Sequence, residues 1–381
     1  MARYTTCRRL AAALAAVMLG ACAAPGSAPS GQPAGGAAPA PAAGTPAQAA
    51  APELQALTQA ARQEGQLTLV MSGLDQQDEL QRLTDGYNRA YGLDAKVQFT
   101  PNPNMPEIAN KLVQEYHAGR PASTDLFIGT ESHVMQLMRA DALLPVDWQS
   151  WAPNVQNPSL IAPRGVAVEL VTRTPGMTYN TSRLRGADVP TSLQELLKPQ
   201  YKGRVASTPY AGAFTNLAAP ELWGEARTLE FVRQFSAQLG GIMGCGEGER
   251  VAYGEFDVFA IDCGTESLRL QAQGASVDHA ILSDVAILVY WFVAVPANAP
   301  HPNSAKLFVN YLLGREAQDL IYQYEFFDHH LVPGSKTAPA VEQLQARGVQ
   351  FTEIDVEWSQ RHEEQVVRLR NEIQNILQQR R

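Results

Sequence analysis

Helices and strands alternate along the first part of the folded chain, and this order constrains the fold more than any other feature. ELQALTQAARQEG predicts a helix that ends at Gly65, because glycine accepts the left-handed conformation found at helix C-termini. LTLVM predicts a buried strand, DQQDELQRLTDGYNRAYG a second helix and DAKVQFT a second strand. MPEIANKLVQEYHAG and DLFIG repeat the pattern. Strand–helix–strand–helix–strand predicts a parallel sheet covered by helices.

The later part of the chain continues this pattern and then becomes helical. SLQELLKPQYKGRVAS predicts a helix that leads into a strand, TLEFVRQFSAQLGG a helix, and FDVFAID and SDVAILVYWFVAVP strands. Two helical stretches follow, NSAKLFVNYLLGREAQDLIYQYEFF and EWSQRHEEQVVRLRNEIQNILQQ. In the last stretch Val366, Ile373 and Ile376 share one face, which is typical of a helix that packs on a core.

The N-terminus has the form of an export signal. Arg3, Arg8 and Arg9 precede the apolar run LAAALAAVML, which is too short to span a membrane as a helix. The following LGAC resembles the lipobox of bacterial lipoproteins, which implies cleavage after residue 21 and lipidation of Cys22. The alternative is an ordinary cleaved signal with a chance cysteine. We therefore predict an exported lipoprotein that is anchored in a membrane and faces the periplasm or the cell exterior.

Residues 22–52 predict a disordered tether. After Cys22 they contain no charged, aromatic or large aliphatic residue, so they have too little apolar surface to offset the entropy of ordering. Without residues 1–21 the chain has 27 basic and 38 acidic residues, a net charge of −11. An acidic domain lacks the clustered cations that nucleic acid requires, and we predict no nucleic-acid partner.

The order of several motifs resembles bacterial solute-binding proteins of ABC importers, particularly the type II group that includes ferric-ion and phosphonate binders. EGQLTLVMSG, YNRAYG, VQEYHAGRPASTDLFIG and LMRADALLPVD are similar to that family's first lobe. TPGMTYNTSRL and VPTSLQELLKPQYKGRVAS resemble the crossing into the second lobe, and APHPNSAKLFVNYLLGREAQDLIYQ resembles the return helix. The resemblance covers residues 60–330 approximately.

This resemblance implies a two-lobed α/β fold, the type II periplasmic-binding-protein fold. Each lobe is expected to hold a mixed, mostly parallel sheet flanked by helices, with a ligand cleft between the lobes. The expected divisions are 53–170 for the first lobe, 171–285 for the second, and 286–381 for the return to the first lobe and the C-terminal helices. The family also implies a monomer without a cofactor that binds a small molecule by lobe closure and delivers it to the permease of an ABC importer.

The ligand is expected beyond the carboxyl ends of the parallel strands, where loops lead into helix N-termini that favour anions. Tyr290, near the return crossing, is predicted to cover the ligand with its ring. The predicted cleft residues are Ser72, Gly73, Thr130, Glu131, Tyr210, Gly212, Ala213, Cys263, Thr265, Glu266 and Tyr290.

The segment GEFDVFAIDCGTE argues against bare ferric ion as the ligand. In the ferric binders that it resembles, two adjacent tyrosines supply phenolate ligands, whereas this chain has Gly264 and Thr265 at the matching positions. A small organic or anionic solute is therefore favoured, with Arg164 and Arg173 as residues that either neutralise it or lie on the surface. Two alternatives remain: chelated ferric iron, and a ligand sensor that docks on a membrane signalling partner.

The other reactive residues do not predict an enzyme or a metal centre. Cys245 and Cys263 form an even pair in an oxidising compartment, and we predict a disulfide between them. HEEQV has Val366 where a metalloprotease motif needs a second histidine, and no nucleophile motif is present. Asp328-His329-His330 could suggest a metal site, but adjacent histidines point in different directions and no spaced third ligand is evident. We therefore interpret this segment as a surface loop.

Overall fold

The computed structural model describes residues 52–74, 76–262 and 266–378. The predicted signal, Cys22 and all of the tether except Pro52 lie outside these residues. Within them, the predicted alternation of strands and helices is confirmed, and the strands form three sheets of two, four and five strands. The two- and four-stranded sheets, which meet at the Leu69–Leu126 bridge, belong to one half of the molecule, and the five-stranded sheet belongs to the other. We refer to these halves as the first and second lobes. No helix in the described ranges combines the length and the apolar character needed to cross a bilayer.

The first lobe begins with a helix and three β-strands joined by helices. Its strands β1 and β2 pair in parallel, with Leu69 opposite Phe99, and Leu69 also bridges in parallel to Leu126 beside β3. The elements in chain order are α1 (Pro52–Glu64), β1 (Gln66–Met71), α2 (Gln77–Tyr91), β2 (Lys96–Pro101), α3 (Met105–His117), β3 (Phe127–Gly129), α4 (Glu131–Arg139), α5 (Trp148–Trp151) and β4 (Ala167–Arg173).

The second lobe is built on a five-stranded mixed sheet with the strand order β7-β6-β8-β5-β9. Strands β6, β7 and β8 run parallel, and β5 is antiparallel to both β8 and β9. Its elements are β5 (Met177–Asn180), β6 (Val205–Ser207), α6 (Gly212–Leu217), α7 (Glu225–Gln238), β7 (Gly241–Ile242), α8 (Glu249–Ala252), β8 (Val258–Ala260), α9 (Glu266–Ala272) and β9 (Val277–Ala280).

The chain then returns to the first lobe and completes its four-stranded sheet. Strand β10 pairs in antiparallel fashion with β3 and β4 and in parallel with β11. The remaining elements are β10 (Ile287–Ala294), α10 (Pro302–Leu312), α11 (Arg315–Glu325), α12 (Ala338–Ala346), β11 (Thr352–Ile354) and α13 (Val356–Gln378).

Two crossings connect the lobes, one from β4 to β5 and one from β9 to β10. They approach each other closely at Gly176: a Cβ atom built there would lie 2.4 Å from the carbonyl oxygen of Ala280 and 2.7 Å from Nε2 of His279. Only glycine leaves room for this approach. The crossings therefore form one compact connection.

Two features differ from the sequence predictions. The helix predicted in SLQELLKPQYKGRVAS is instead two short 3-10 turns, Gln194–Leu197 and Pro199–Tyr201, because proline at 199 cannot continue the ladder of the first turn. The final helix α13 packs on the second lobe as well as the first. Leu369, Ile373 and Leu377 are buried in the core of the second lobe, in agreement with a core-packing role for Ile373.

Candidate functional site

A cavity of about 450 Å³ lies between the lobes, and it brings together three of the predicted cleft residues. Thr130 and Glu131 reach it from the loop after β3, and Gly212 reaches it from the start of α6. One wall of the cavity is formed by α13. Strands β3 and β6 both end on the side of their sheets that faces this cavity. Thr130 and Glu131 follow β3, and Gly212 follows β6, so these residues reach the cavity.

Thr130 and His133 form a fixed pair at the start of α4. The backbone N–H of Thr130 donates to Nδ1 of His133 at 3.3 Å, and the Thr130 hydroxyl lies 3.1 Å from the same nitrogen. Burial, together with the charge of Arg370, lowers the pKa of His133 to about 4. The ring is therefore neutral at pH 7 and accepts the backbone N–H through Nδ1.

Glu131 lies in the same cavity, and opposing effects act on the pKa of its carboxyl group. Burial raises the pKa of its carboxyl group to about 7, although the backbone amides of Glu131 and Ser132 and the charge of Arg370 favour the ionised form. The side chain is half-buried. At neutral pH Glu131 exchanges between the neutral and the charged state, so it can either donate or accept a hydrogen bond.

Two arginines, Arg139 and Arg370, line the cavity, and they differ in whether a carboxylate pairs with them. Arg139 of α4 forms an ion pair with Glu363 of α13, so these two charges cancel. Arg370 lines the cavity, and no carboxylate of the described residues forms a salt bridge with it. The cavity consequently has one cation that is available to an incoming ligand.

Ser72 and Gly73, which were predicted as cleft residues, do not line this cavity, and Gly73 packs against β10. Gly73 has φ of +77°, and a Cβ atom there would lie 2.5 Å from Cζ3 of Trp291. Glycine is thus required both by the left-handed backbone and by the contact with the indole ring. Trp291 in turn lies under Arg173, whose guanidinium carbon is 5.1 Å from the ring centroid.

Arg173 is a desolvated cation at the end of β4. It also lies 5.9 Å from the Phe327 ring centroid, and its Nε atom is buried without a hydrogen-bond partner. Burial lowers its pKa to about 10, while the charges of Asp262 and Glu325 act in the opposite direction. The residue lines a second cavity of about 420 Å³, which has walls from both lobes. Arg164, by contrast, pairs with Asp141 at the surface at 3.0 Å and lines neither cavity.

The prediction for Tyr290 needs correction. Its side chain is only 1% exposed and stacks on His329 with a centroid distance of 5.6 Å, inside the core of the first lobe. The reason is its place in β10, the strand that lies between β4 and β3 in the sheet. Tyr290 therefore cannot cover a ligand in the cleft, and Tyr210 is exposed and lines neither cavity.

The remaining predicted residues stay predictions. Cys263 and Thr265 lie outside the described residues, as does the Gly264 position. Glu266 begins α9, and Ala213 lies in the first turn of α6 beside Gly212. Cys245 is disulfide-bonded, and its partner lies outside the described residues.

The interpretation of Asp328-His329-His330 as a surface loop is wrong, because this segment is a buried polar network. Nε2 of His329 lies 3.0 Å from a carboxyl oxygen of Glu169, and both side chains are buried. Burial lowers the pKa of His329 and raises that of Glu169 to about 9. Asp328 accepts hydrogen bonds from the backbone of Lys336 and Thr337 at 2.7 and 2.9 Å. These contacts fix the loop after α11 against β4.

Sequence reasoning also missed the wall that α13 contributes. Ser359, Glu363 and Arg370 recur at helical spacing on one face, and this periodicity was the available signal. The pattern is polar, however, and a polar stripe on a helix is ordinarily solvated. Only the position of the helix against α4 and α6 turns the stripe into a cavity wall.

Comparison with known proteins agrees with this architecture. A protein from Serratia marcescens, the "Fe(3+)-binding periplasmic protein", is 22% identical over 294 residues, which cover 72% of this chain and 82% of that protein. The substrate binding protein of an ABC transporter from Agrobacterium tumefaciens has a similar structure, with a TM-score of 0.67 and 17% identity over 82% of this chain and 95% of that one.

The periplasmic binding protein AfuA from Actinobacillus pleuropneumoniae, solved with exogenous fructose-6-phosphate bound, has a TM-score of 0.60 and 18% identity over 81% of this chain and 98% of that one. These likenesses establish the two-lobed fold. Residues 123–356 match the family model described as "Bacterial extracellular solute-binding protein", which is more than half of the chain. The chain belongs to the bacterial extracellular solute-binding protein family.

Proposed function

We propose that this protein captures a small anionic solute between its lobes and delivers it to the permease of an ABC importer. The observation that carries the proposal is the presence of two guanidinium groups at interlobe cavities, Arg173 and Arg370, that form no salt bridge with the described carboxylates. The lobe divisions given above and the lipid anchor at Cys22 are part of the same proposal.

The state of Arg173 is the stronger support for an anionic ligand. A charged group that is removed from water is costly unless an opposite charge or hydrogen bonds compensate. Here the guanidinium has aromatic faces from Trp291 and Phe327, but its Nε–H is unsatisfied. Asp262 and Glu325 lie close enough to favour the charged form, and an anion that enters between the lobes would add the missing hydrogen-bond acceptor.

Chelated ferric iron is a second candidate, since the Serratia relative is named for Fe(3+) binding. Gly264 and Thr265 provide no phenolate, so the metal ligands would have to come from the chelator itself. An anionic chelator would require the same kind of compensating cation, which Arg173 and Arg370 each provide at a separate cavity. This candidate and an organic anion therefore differ in the cargo and not in the charge that binds it.

A thermal-shift screen of the purified full chain tests the proposal. The panel contains ferric citrate, phosphonates, sugar phosphates, amino acids and polyamines. We expect a saturable rise in unfolding temperature with one class of anion, since a ligand at a hundredfold excess over its Kd stabilises the folded state by about 2.7 kcal/mol. A tenfold or greater rise in the apparent Kd of Arg173→Gln would place the anion in the cavity of Arg173, whereas an unchanged Kd would leave the cavity of Arg370 as its site.

Arg164→Gln is the matched control, because Arg164 is also a guanidinium of the first lobe but pairs with Asp141 at the surface. It should respond to the anion as the unmodified protein does. A response to polyamines alone would contradict the proposal of an anionic solute. No response to any class would favour the alternative role as a sensor that docks on a membrane partner.

A further inference from the structure

The C-terminal helix α13 presents two different faces. Trp358, Leu369, Ile373 and Leu377 are buried in the core of the second lobe. A neighbouring stripe, which lines the interlobe cavity, consists of Ser359, Glu363, Val366, Val367 and Arg370. These residues are separated by four, three, one and three positions, so they lie on one side of the helix. The helix begins at Val356, the last residue that the family match covers.

Several contacts hold α13 in this orientation. Nε1 of Trp358 donates to Glu221 at 2.7 Å, and Nε2 of Gln365 donates to the carbonyl oxygen of Ala218 at 2.8 Å. Arg368 binds both carboxylate oxygens of Glu225, at 2.7 and 2.5 Å. All of these partners belong to the second lobe. The cavity-lining stripe is consequently fixed in position relative to α6.

The stripe and the opposite wall offer complementary chemistry. Arg370 supplies a cation, whereas the charge of Glu363 is cancelled by Arg139. Val367 is a large apolar side chain with 55% of its surface exposed, although it lines a cavity. The facing wall has the hydroxyls of Thr130 and Ser132, which lie 3.0 Å apart. This combination suits a ligand with an anionic group, an apolar part and a polar edge.

We propose that α13 is a wall of the ligand site, with Arg370 binding the anionic group of the solute and Val367 contacting its apolar part. The inference rests on the proposed function and narrows the solute to a small organic anion, a carboxylate or a phosphate ester, that carries an apolar portion. Arg370 is then a specificity-determining residue outside the segment that the family match covers.

Calorimetric titration of the purified full chain tests this inference with three probes: phenyl phosphate, phenylacetate and inorganic phosphate. We expect phenyl phosphate to bind more tightly than inorganic phosphate, because only the ester has a surface for Val367 to contact. Arg370→Gln should raise the Kd for phenyl phosphate at least tenfold, since a charge-assisted hydrogen bond is lost. Arg370→Lys keeps the charge and should recover part of the affinity.

Arg368→Gln is the matched control, because Arg368 lies two residues away on the same helix but pairs with Glu225 of the second lobe. It should bind the probes within twofold of the unmodified protein. Val367→Ser should reduce the preference for phenyl phosphate over inorganic phosphate while it leaves the Kd for inorganic phosphate unchanged. The relative Kd values for phenyl phosphate and phenylacetate distinguish an ester from a carboxylate.

Equal binding by Arg370→Gln and the unmodified protein would overturn the role of Arg370 and leave the proposed function intact. Binding of another anion from the thermal-shift panel, without binding of phenyl phosphate or phenylacetate, would overturn the ligand class. If the unmodified protein binds no anion at all, the proposed function itself is wrong and this inference falls with it.

Discussion

Glu131 shows how the cavity changes the chemistry of a single residue. A carboxylate in the first turn of a helix is normally stabilised by the free amide groups there, and the amides of Glu131 and Ser132 do favour the charged form. Burial between the lobes outweighs them and raises the pKa to about 7. Glu131, in the first turn of α4, is therefore partly protonated at neutral pH and does not carry a permanent negative charge.

We expect Glu131→Gln to change how stability depends on pH. Because the folded-state pKa of about 7 lies above the ordinary value of 4.5, the folded protein binds the proton more tightly between these values. The stabilisation that protonated Glu131 contributes is complete below about pH 4.5 and is lost as pH rises through about 7. The Glu131→Gln variant has no titrating group at this position, so it does not lose this stabilisation as the pH rises.

Urea denaturation of both proteins at pH 4, 6 and 8 measures the effect. The free energy of unfolding of the unmodified protein, relative to the variant, should fall by on the order of 1–3 kcal/mol from pH 4 to pH 8. Subtraction of the two proteins cancels the titration of the other groups. A difference that does not vary with pH would show that Glu131 ionises as it does in an unfolded chain.

At the scale of elements, the packing of α2 against α10 depends on a glycine. Gly86 lies in the middle of this helix, where a Cβ atom would be 1.8 Å from the hydroxyl oxygen of Tyr311 and 2.8 Å from its Cζ. Tyr311 belongs to α10 and is buried, so its ring has little room to move. The close contact of α2 with α10 therefore depends on glycine.

Gly86→Ala should destabilise the protein, although alanine is the better helix former. Helix propensity favours alanine by about 1 kcal/mol, whereas overpacking a buried contact typically costs 1–3 kcal/mol. We expect a net loss of up to about 2 kcal/mol in the free energy of unfolding, measured by urea denaturation. Thr84→Ala, at a half-buried position on the same helix, should gain a few tenths of a kcal/mol. A stabilised Gly86→Ala variant would contradict the packing described.

At the scale of the whole molecule, α13 connects the two lobes. It is docked on the second lobe through α6 and α7, and Glu363 reaches across to Arg139 on α4 of the first lobe. Separation of the lobes on this side requires that the ion pair breaks. Both side chains are partly exposed, which limits the strength of the pair.

Glu363→Gln should shift the ligand-free protein towards the open arrangement. A surface ion pair contributes about 0.2–1 kcal/mol, so the ratio of open to closed molecules should rise up to about fivefold. Single-molecule energy transfer between labels on the two lobes measures this ratio. Glu372→Gln is the control, because it breaks the pair with Arg233 inside the second lobe. An equal shift in both variants would assign the effect to helix stability instead of an interlobe contact.

The elements of both lobes could be predicted from the sequence because they depend on local periodicity and on residues such as Gly65 and Gly92 that end helices. Loop positions such as Thr130, Glu131 and Gly212 were also predictable, since the ends of parallel strands meet at one edge of a sheet. The incorrect prediction of one helix in SLQELLKPQYKGRVAS also has a local cause, because proline at 199 stops the helix within one turn.

What only the tertiary structure decided is the surroundings of each side chain. Tyr290 and His329 read as accessible polar residues in the sequence, yet neighbouring strands and the loop after α11 bury them. Arg173 and Arg164 are both arginines of the first lobe, but they differ in solvent exposure and in the groups that they contact. Arg370 became a candidate ligand residue only when α13 was placed against the cleft. Burial, charge pairing and cavity walls arise from segments that are distant in the chain, and a local pattern carries no information on which segments meet.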